Sequence, residues 1–472
     1  MRRLAVGAAL IAGCLAGGLP AATAATDRPD PVGLPKPYTG PVQVGSSGPN
    51  SSWETLSHQP GFAPGSMLLL TDGSVLVHQD DSDRWSRLVP DRHGSYANGT
   101  WHSAASLPGR YQPQYFASAV LPSGKVIVLG GEYDGSDQQV ESNRGAIYDP
   151  VANRWRRLAP PPRWTQVGDS QSTLLTDGRL LVANLLGSDD AILDPATLHW
   201  TPTGAGKLDL NGEEGFSLLP DGRVLTVDST AQGSELFNPQ TGTWSSAGKI
   251  PVNLVDDNSE QGPVVSGPDG DEFAIGATGN SALYHSQPGG PGRWSAGPRL
   301  PKLMGAQLVA ADAAGARLPN GSVLLDASPP GQVAPVYFFV FNGRDLRPIE
   351  DNETARDVSS YTTRMLVLPS GKVLYDDNDK IYVFRPGGSP RADWRPRITA
   401  VARQLAPGHV YRLSGLQLAG RDQGAAYGDD FQDNTNYPMI RITSLAGGPS
   451  RGVITYAPVS YTHLRAHETG RN

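Results

Sequence analysis

A chain of 472 residues with 56 glycines, 41 prolines and 18% charged residues is longer than one hydrophobic core usually serves and too rich in chain-turning residues for a helical protein. A formal net charge of −7 and a pI near 5.7 provide no positive footprint for nucleic acid or for an anionic membrane surface. No stretch spaces its apolar residues as a helix would, so the expected class is all-β, as two domains or as a repeat architecture with an appendage.

The N-terminus pairs Arg2 and Arg3 with an apolar run from Leu4 to Leu19 and the small-x-small triplet Ala22-Thr23-Ala24. Residues 1–24 therefore read as a signal peptide, and the chain as secreted, extracellular or periplasmic. The single cysteine, Cys14, follows Ile11-Ala12-Gly13. That context also fits a lipobox, which would make the protein a surface lipoprotein held to the membrane only by its acyl anchor. On either reading the folded part has no thiol for a disulfide, a thiolate metal site or a nucleophile. Residues 25–50, rich in Pro, Gly and Ser, read as a linker.

From residue 51 a short turn recurs seven times: Leu70-Thr71-Asp72-Gly73, Leu121-Pro122-Ser123-Gly124, Leu175-Thr176-Asp177-Gly178, Leu219-Pro220-Asp221-Gly222, Gly267-Pro268-Asp269-Gly270, Leu318-Pro319-Asn320-Gly321 and Leu368-Pro369-Ser370-Gly371. Asp, Asn or Ser before Gly suits a hairpin whose glycine needs positive φ, and apolar runs on both sides predict two paired strands. The glycines stand 44 to 54 residues apart, close to the roughly 50 residues of a kelch repeat. A tryptophan leading into each blade's last strand is the second marker: Trp53, Trp101, Trp155, Trp200, Trp244 and Trp294, with Leu346 in the sixth interval. Because Trp53 precedes the first turn and no such strand follows the seventh, the Trp53 strand is expected to close the last blade of a seven-bladed propeller over residues 51–390.

Aligning the repeats on their turn glycines places Pro64, Tyr115, Asp169, Glu213, Gln261, Asp312 and Thr362 nine residues upstream, at the start of each channel-facing strand. Glu214 and Glu260 adjoin this set, and Asp80, Glu132, Asp228, Asp326 and Asp377 follow the second strands on the same face. With Tyr111, Tyr115, Phe116 and Tyr133 they predict an acidic, aromatic channel mouth. Such a mouth suits a glycan or protein ligand, calcium held by Asp169, Glu213 and Asp312, or carboxylates merely bonded to strand-end amides. The candidate ligand-binding residues are Tyr115, Glu132, Tyr133, Asp169, Glu213, Glu214, Glu260, Asp312 and Tyr361. The histidines share no repeat offset, and no phosphate-loop, nucleophile-elbow or His-Glu-x-x-His pattern is present.

With these turns, Gly130-Gly131 after Val126-Ile127-Val128-Leu129, and a β-rich segment behind seven repeats, the chain resembles the galactose oxidase and glyoxal oxidase superfamily of kelch propellers. The resemblance implies an Ig-like module over residues 391–457, here incomplete. It also implies a copper ion held by two tyrosines and two histidines, one tyrosine being cross-linked to cysteine. The matching positions here are Tyr361 and Thr362, then Asp429 to Gln432 after Tyr427-Gly428, with no cysteine beyond Cys14. Copper is therefore not expected, nor is copper-radical oxidase activity, and no other cofactor is expected apart from calcium. Residues 458–472 read as a non-native tail, which removes His463 and His467 from any site. The function expected is non-catalytic binding of an extracellular glycan or protein by a monomer. Alternatives are a carbohydrate-active hydrolase, lyase or divergent oxidase using the channel carboxylates, and a scaffold of an envelope assembly.

Overall fold

The structure is a computed structural model, and it describes residues 52–136, 138–303, 305–404, 411–418, 425–426, 439–442 and 451–453. The expected signal peptide, Cys14, the linker and the tail lie outside the described residues, as do Tyr427 to Gln432. Seven antiparallel sheets follow one another as blades. Six run in simple chain order and begin with Pro64–Leu69, Ala117–Val120, Ser172–Leu174, Ser217–Leu218, Val264–Ser266 and Gly315–Arg317. The seventh contains Arg364–Val367, Val373–Asp376 and Ile381–Phe384, with Trp53–Thr55 as its outermost strand. There Trp53 pairs with Phe384 and Thr55 with Tyr382, so the first described strand completes the last sheet. First strands of neighbouring blades meet one another, seventh against first included, which sets them around the central axis of the ring. Only two short 3-10 helices, Ser360–Thr362 and Ala392–Trp394, occur among the described residues, where no helix is long and apolar enough to cross a membrane.

All seven repeated turns take the same form. In the first, the Gly73 N–H donates to Leu70 O at 2.9 Å and the Leu70 N–H to Ser74 O at 2.8 Å, with Gly73 at φ 83°. The glycine amide of each later turn likewise donates three residues back, and all seven glycines lie between φ 77° and 91°. Such a turn followed by a left-handed residue excludes most side chains at that position, so the glycine is a backbone requirement.

The outer-strand tryptophans join blades as well as covering them. Trp155 donates its indole N–H to Ala105 O at 2.9 Å, Trp200 to Ala159 O at 2.8 Å, Trp294 to Ser234 Oγ at 2.8 Å and Trp53 to Glu350 O at 2.8 Å. Every acceptor belongs to the blade before. The apolar face of each indole meanwhile packs in an interblade core, where burying a ring is worth a few kcal/mol. Trp53 lies 4.6 Å from Phe338 and 4.9 Å from Phe384 between ring centroids, tying the sixth blade to the seventh.

Beyond residue 391, Arg397–Ala400 pairs with Ser414–Leu416 and Ile440–Ile442 with Arg451–Val453. A third segment, Ala425–Ala426, adds a fifth strand to the first strand of the sixth blade. Two separate ladders and one added strand are what the described residues of this region form; most of the expected Ig-like module lies outside them.

Candidate functional site at the channel mouth

The chain reaches the first strand of several blades through a strained backbone. Tyr115, Glu213 and Asp312, all nine residues ahead of a turn glycine, adopt φ 50°, 60° and 47°, and Gly168 beside Asp169 adopts 67°. A left-handed conformation costs a non-glycine residue on the order of 1–3 kcal/mol and is most unusual for a bulky one such as Tyr115. The mouth positions are also bonded from blade to blade. Gln261 Nε2 donates to Glu213 O at 2.5 Å and to Val227 O at 3.0 Å. The Asp312 N–H donates to Gln261 O at 2.9 Å, and Asp312 Oδ2 accepts from Gln332 Nε2 at 2.8 Å.

Four of the candidate residues gather between the second and third blades. The rings of Tyr115 and Tyr133 meet edge to face at 6.4 Å, and the Glu132 N–H donates to Tyr115 O at 3.0 Å. Partial burial pushes the Tyr133 phenol up to about 12, with Glu132, Asp169 and Glu141 adding negative charge beside it. Glu141 accepts from Gln139 Nε2 at 2.7 Å on one oxygen, while the other is buried without a hydrogen bond. Its burial pushes that carboxyl up to about 7. The buried Arg364 of the seventh blade holds its guanidinium 5.7 Å from the Tyr115 ring centroid, in cation–π range. Arg364 Nη1 also donates to Tyr361 O at 3.0 Å, which brings Tyr361 to the same wall. Asp80 accepts from Gln114 Nε2 at 3.3 Å and Asn378 Nδ2 at 2.8 Å. Aromatic edges, carboxylates and one guanidinium around a common opening can stack on a ring and exchange hydrogen bonds with several hydroxyls.

Other expected residues stand elsewhere. Glu214 is not at the mouth: it is fully buried at the junction of the third and fourth blades, accepting from Lys207 Nζ at 2.8 Å. The left-handed turn at Glu213 separates two neighbours that look equivalent in sequence. Glu260 ends a tight turn in which its N–H donates to Asp256 Oδ1 at 3.1 Å. Tyr111 and Phe116 are buried, the Tyr111 hydroxyl donating to Gly130 O at 2.6 Å. Asp326 and Asp377 are buried too and accept from the amides of Ala314 and Lys380 at 3.0 and 2.7 Å. Asp169, Glu213 and Asp312 do not bring three ligand oxygens within 4.8 Å of one another; among the described residues only Asp209, Glu214 and Asp228 do. Thr362 has a hydroxyl where the oxidase resemblance asks for imidazole, and it donates to Ser359 O at 2.9 Å, so the residues here do not fit copper(II).

Glu141 and Arg364 were not singled out from the sequence. For Glu141 the signal was length: the second blade's connection between its second and third strands spans 130–144, against 184–189 in the third blade. Arg364 opens an otherwise apolar first strand, Arg-Met-Leu-Val.

No family model matches this chain. Over 113 residues it is 36% identical to an N-acetylneuraminate epimerase of Yersinia enterocolitica, a match covering 23% of this chain and 26% of that protein. The chain thus spans about a quarter of the length of that curated relative. Among solved structures it is similar to a streptogramin B lyase, at 14% identity and TM-score 0.48, over 70% of this chain and 95% of the other. A fungal alcohol oxidase of the AA5 family in complex with copper matches at 15% identity and TM-score 0.38, over 82% and 78%. YjhT matches at 14% and 0.40, over 62% and 100%. At these identities and scores the solved structures assign no function to this chain.

Proposed function

We propose that this chain is an exported propeller of the kelch type that binds a hydroxyl-rich ligand, an extracellular glycan or a glycan-bearing protein, at the mouth lined by Tyr115, Tyr133, Glu132, Asp169 and Arg364. The observation that carries this reading is the left-handed Tyr115. Glycine would satisfy that backbone at lower cost, so the strain is explained by what the ring does there: it faces Tyr133 on one side and Arg364 on the other. In this reading residues 391–457 are an Ig-like appendage. The sugar epimerase matched over 113 residues makes N-acetylneuraminate a natural member of the first ligand panel.

Calorimetry of the secreted protein with a panel of neutral and acidic saccharides tests the proposal. At least one member should bind, Tyr115→Gly should weaken it at least about tenfold, and the melting temperature should stay level or rise as strain is released. No binding across the panel, or unchanged affinity in Tyr115→Gly and Arg364→Gln alike, would overturn it. Glu141 near Asp169 favours a second reading, in which a carboxyl titrating at about 7 serves as acid or base toward the bound sugar. Product formation in the same panel, abolished by Glu141→Gln, would establish that reading.

A further inference from the structure

A second constellation lies at the junction of the third and fourth blades, away from the aromatic residues of the mouth. Lys207, Asp209, Glu214, Asp228 and Glu235 are each at most 8% exposed. Four carboxyl groups therefore surround one ammonium, and a net negative charge of that size is not stable in a protein interior without a compensating proton or cation.

The hydrogen bonds show where the compensation is lacking. Lys207 Nζ takes Glu214 Oε2 at 2.8 Å and Glu235 Oε2 at 2.9 Å. Thr226 Oγ1 donates to the same Glu214 oxygen at 2.8 Å, and the Leu208 N–H donates to Glu235 Oε1 at 2.8 Å. Asp209 accepts from the Leu210 and Thr230 amides, both at 3.0 Å. Two buried oxygens, Glu214 Oε1 and Asp228 Oδ1, have no hydrogen-bond donor. Asp228 is 7% exposed, yet one oxygen from each of Asp209, Glu214 and Asp228 lies within 4.8 Å of the other two. Oxygens bound to one calcium ion at roughly 2.3–2.6 Å stand no more than about 5 Å apart.

We propose that Asp209, Glu214 and Asp228 bind one hard divalent cation, calcium or magnesium, that pins the segment joining the third and fourth blades to the end of the fourth blade's second strand. Three carboxylates without imidazole or thiolate match hard cations and not zinc or copper.

The whole secreted protein, stripped with EDTA and dialysed, is titrated with CaCl2 and separately with MgCl2 at pH 7.5. One of the two ions should bind with one-to-one stoichiometry and raise the melting temperature by at least about 3 °C at saturation. Asp228→Asn removes both a ligand and a buried charge. It should melt at or above wild type in EDTA and lose the response to the ion, and Asp209→Asn should lose that response as well. Absence of heat and of a thermal shift with both ions in wild type would overturn the site, as would a wild-type response retained by both variants. Because none of these residues belongs to the proposed saccharide site, failure here leaves the saccharide result untouched.

Discussion

At the scale of single residues, Lys207 shows how one cation holds several buried carboxyls in place. Its side chain is completely buried, and its two partners Glu214 and Glu235 are buried with it. Lys207→Met keeps the volume and removes the charge, leaving both carboxylates without their counter-ion and with only neutral donors, Thr226 to Glu214 and the Leu208 N–H to Glu235. Removing one partner of a buried ion pair costs about 3–5 kcal/mol, so the midpoint of urea unfolding in EDTA should fall well below that of wild type; an unchanged midpoint would mean that the acids are protonated and independent of Lys207. The same residues mark where sequence reading stops. Glu213 and Glu214 are adjacent carboxylates at a repeat position, and nothing in their identity separates them. The backbone does: φ 60° at Glu213 leaves one residue half-buried at the mouth and the other in the interior. Turn glycines are legible because chemistry restricts the position to them, whereas the choice between two glutamates depends on dihedral angles that the whole ring imposes.

At the scale of elements, each blade is closed by its outer strand, and in six of the seven a tryptophan stands there against the interblade core, Leu346 taking its place in the sixth. Trp53 is 1% exposed, contacts four aromatic rings and donates to the preceding blade. Trp101, in the first blade, is only half-buried, although it too donates an indole hydrogen bond, to His58 O at 2.8 Å. Trp53→Ala should therefore cost about 3–5 kcal/mol in unfolding free energy and Trp101→Ala clearly less, in paired urea titrations. Equal losses would show that the indole hydrogen bond, common to both, outweighs the fuller packing of Trp53, since Trp101 meets only the Phe62 ring. The outer strands were legible because large aromatic residues recur with the turns. The added strand Ala425–Ala426 was not, since two alanines carry no strand signal. The pair lies against Gly315 and Ala316 of the sixth blade's first strand, and both alanines are buried there.

At the scale of the whole molecule, buried carboxyls decide how stability depends on pH. Burial pushes Asp190, Asp228 and Asp326 up to about 7, Glu214 up to about 8 and Asp351 up to about 6, and raises Asp376 well above the usual range. An acid whose folded value is raised binds more protons in the native than in the unfolded chain between the two values, so each such group lowers stability as pH rises through that interval. The interval runs from about 4 to about 8, and a fully engaged group contributes up to about 1.4 kcal/mol per pH unit. His78 acts the other way, because burial lowers its value and favours the native state as pH rises toward 6.5. One opposing histidine does not offset six carboxyls, and the net charge of −7 at pH 7 adds repulsion of the same sign. The EDTA-treated protein should accordingly melt highest near pH 5 and progressively lower at pH 6.5 and 8, and a flat or rising series would show that these acids are solvated. Saturating calcium or magnesium, whichever binds, should flatten the upper part of that slope, because an ion held at this junction replaces the protons that Glu214 and Asp228 would otherwise retain. The remaining slope then belongs to Glu141, Asp190, Asp326, Asp351, Asp376 and Asp377, all raised by burial, and Asp326→Asn should reduce it further without altering the response to the ion.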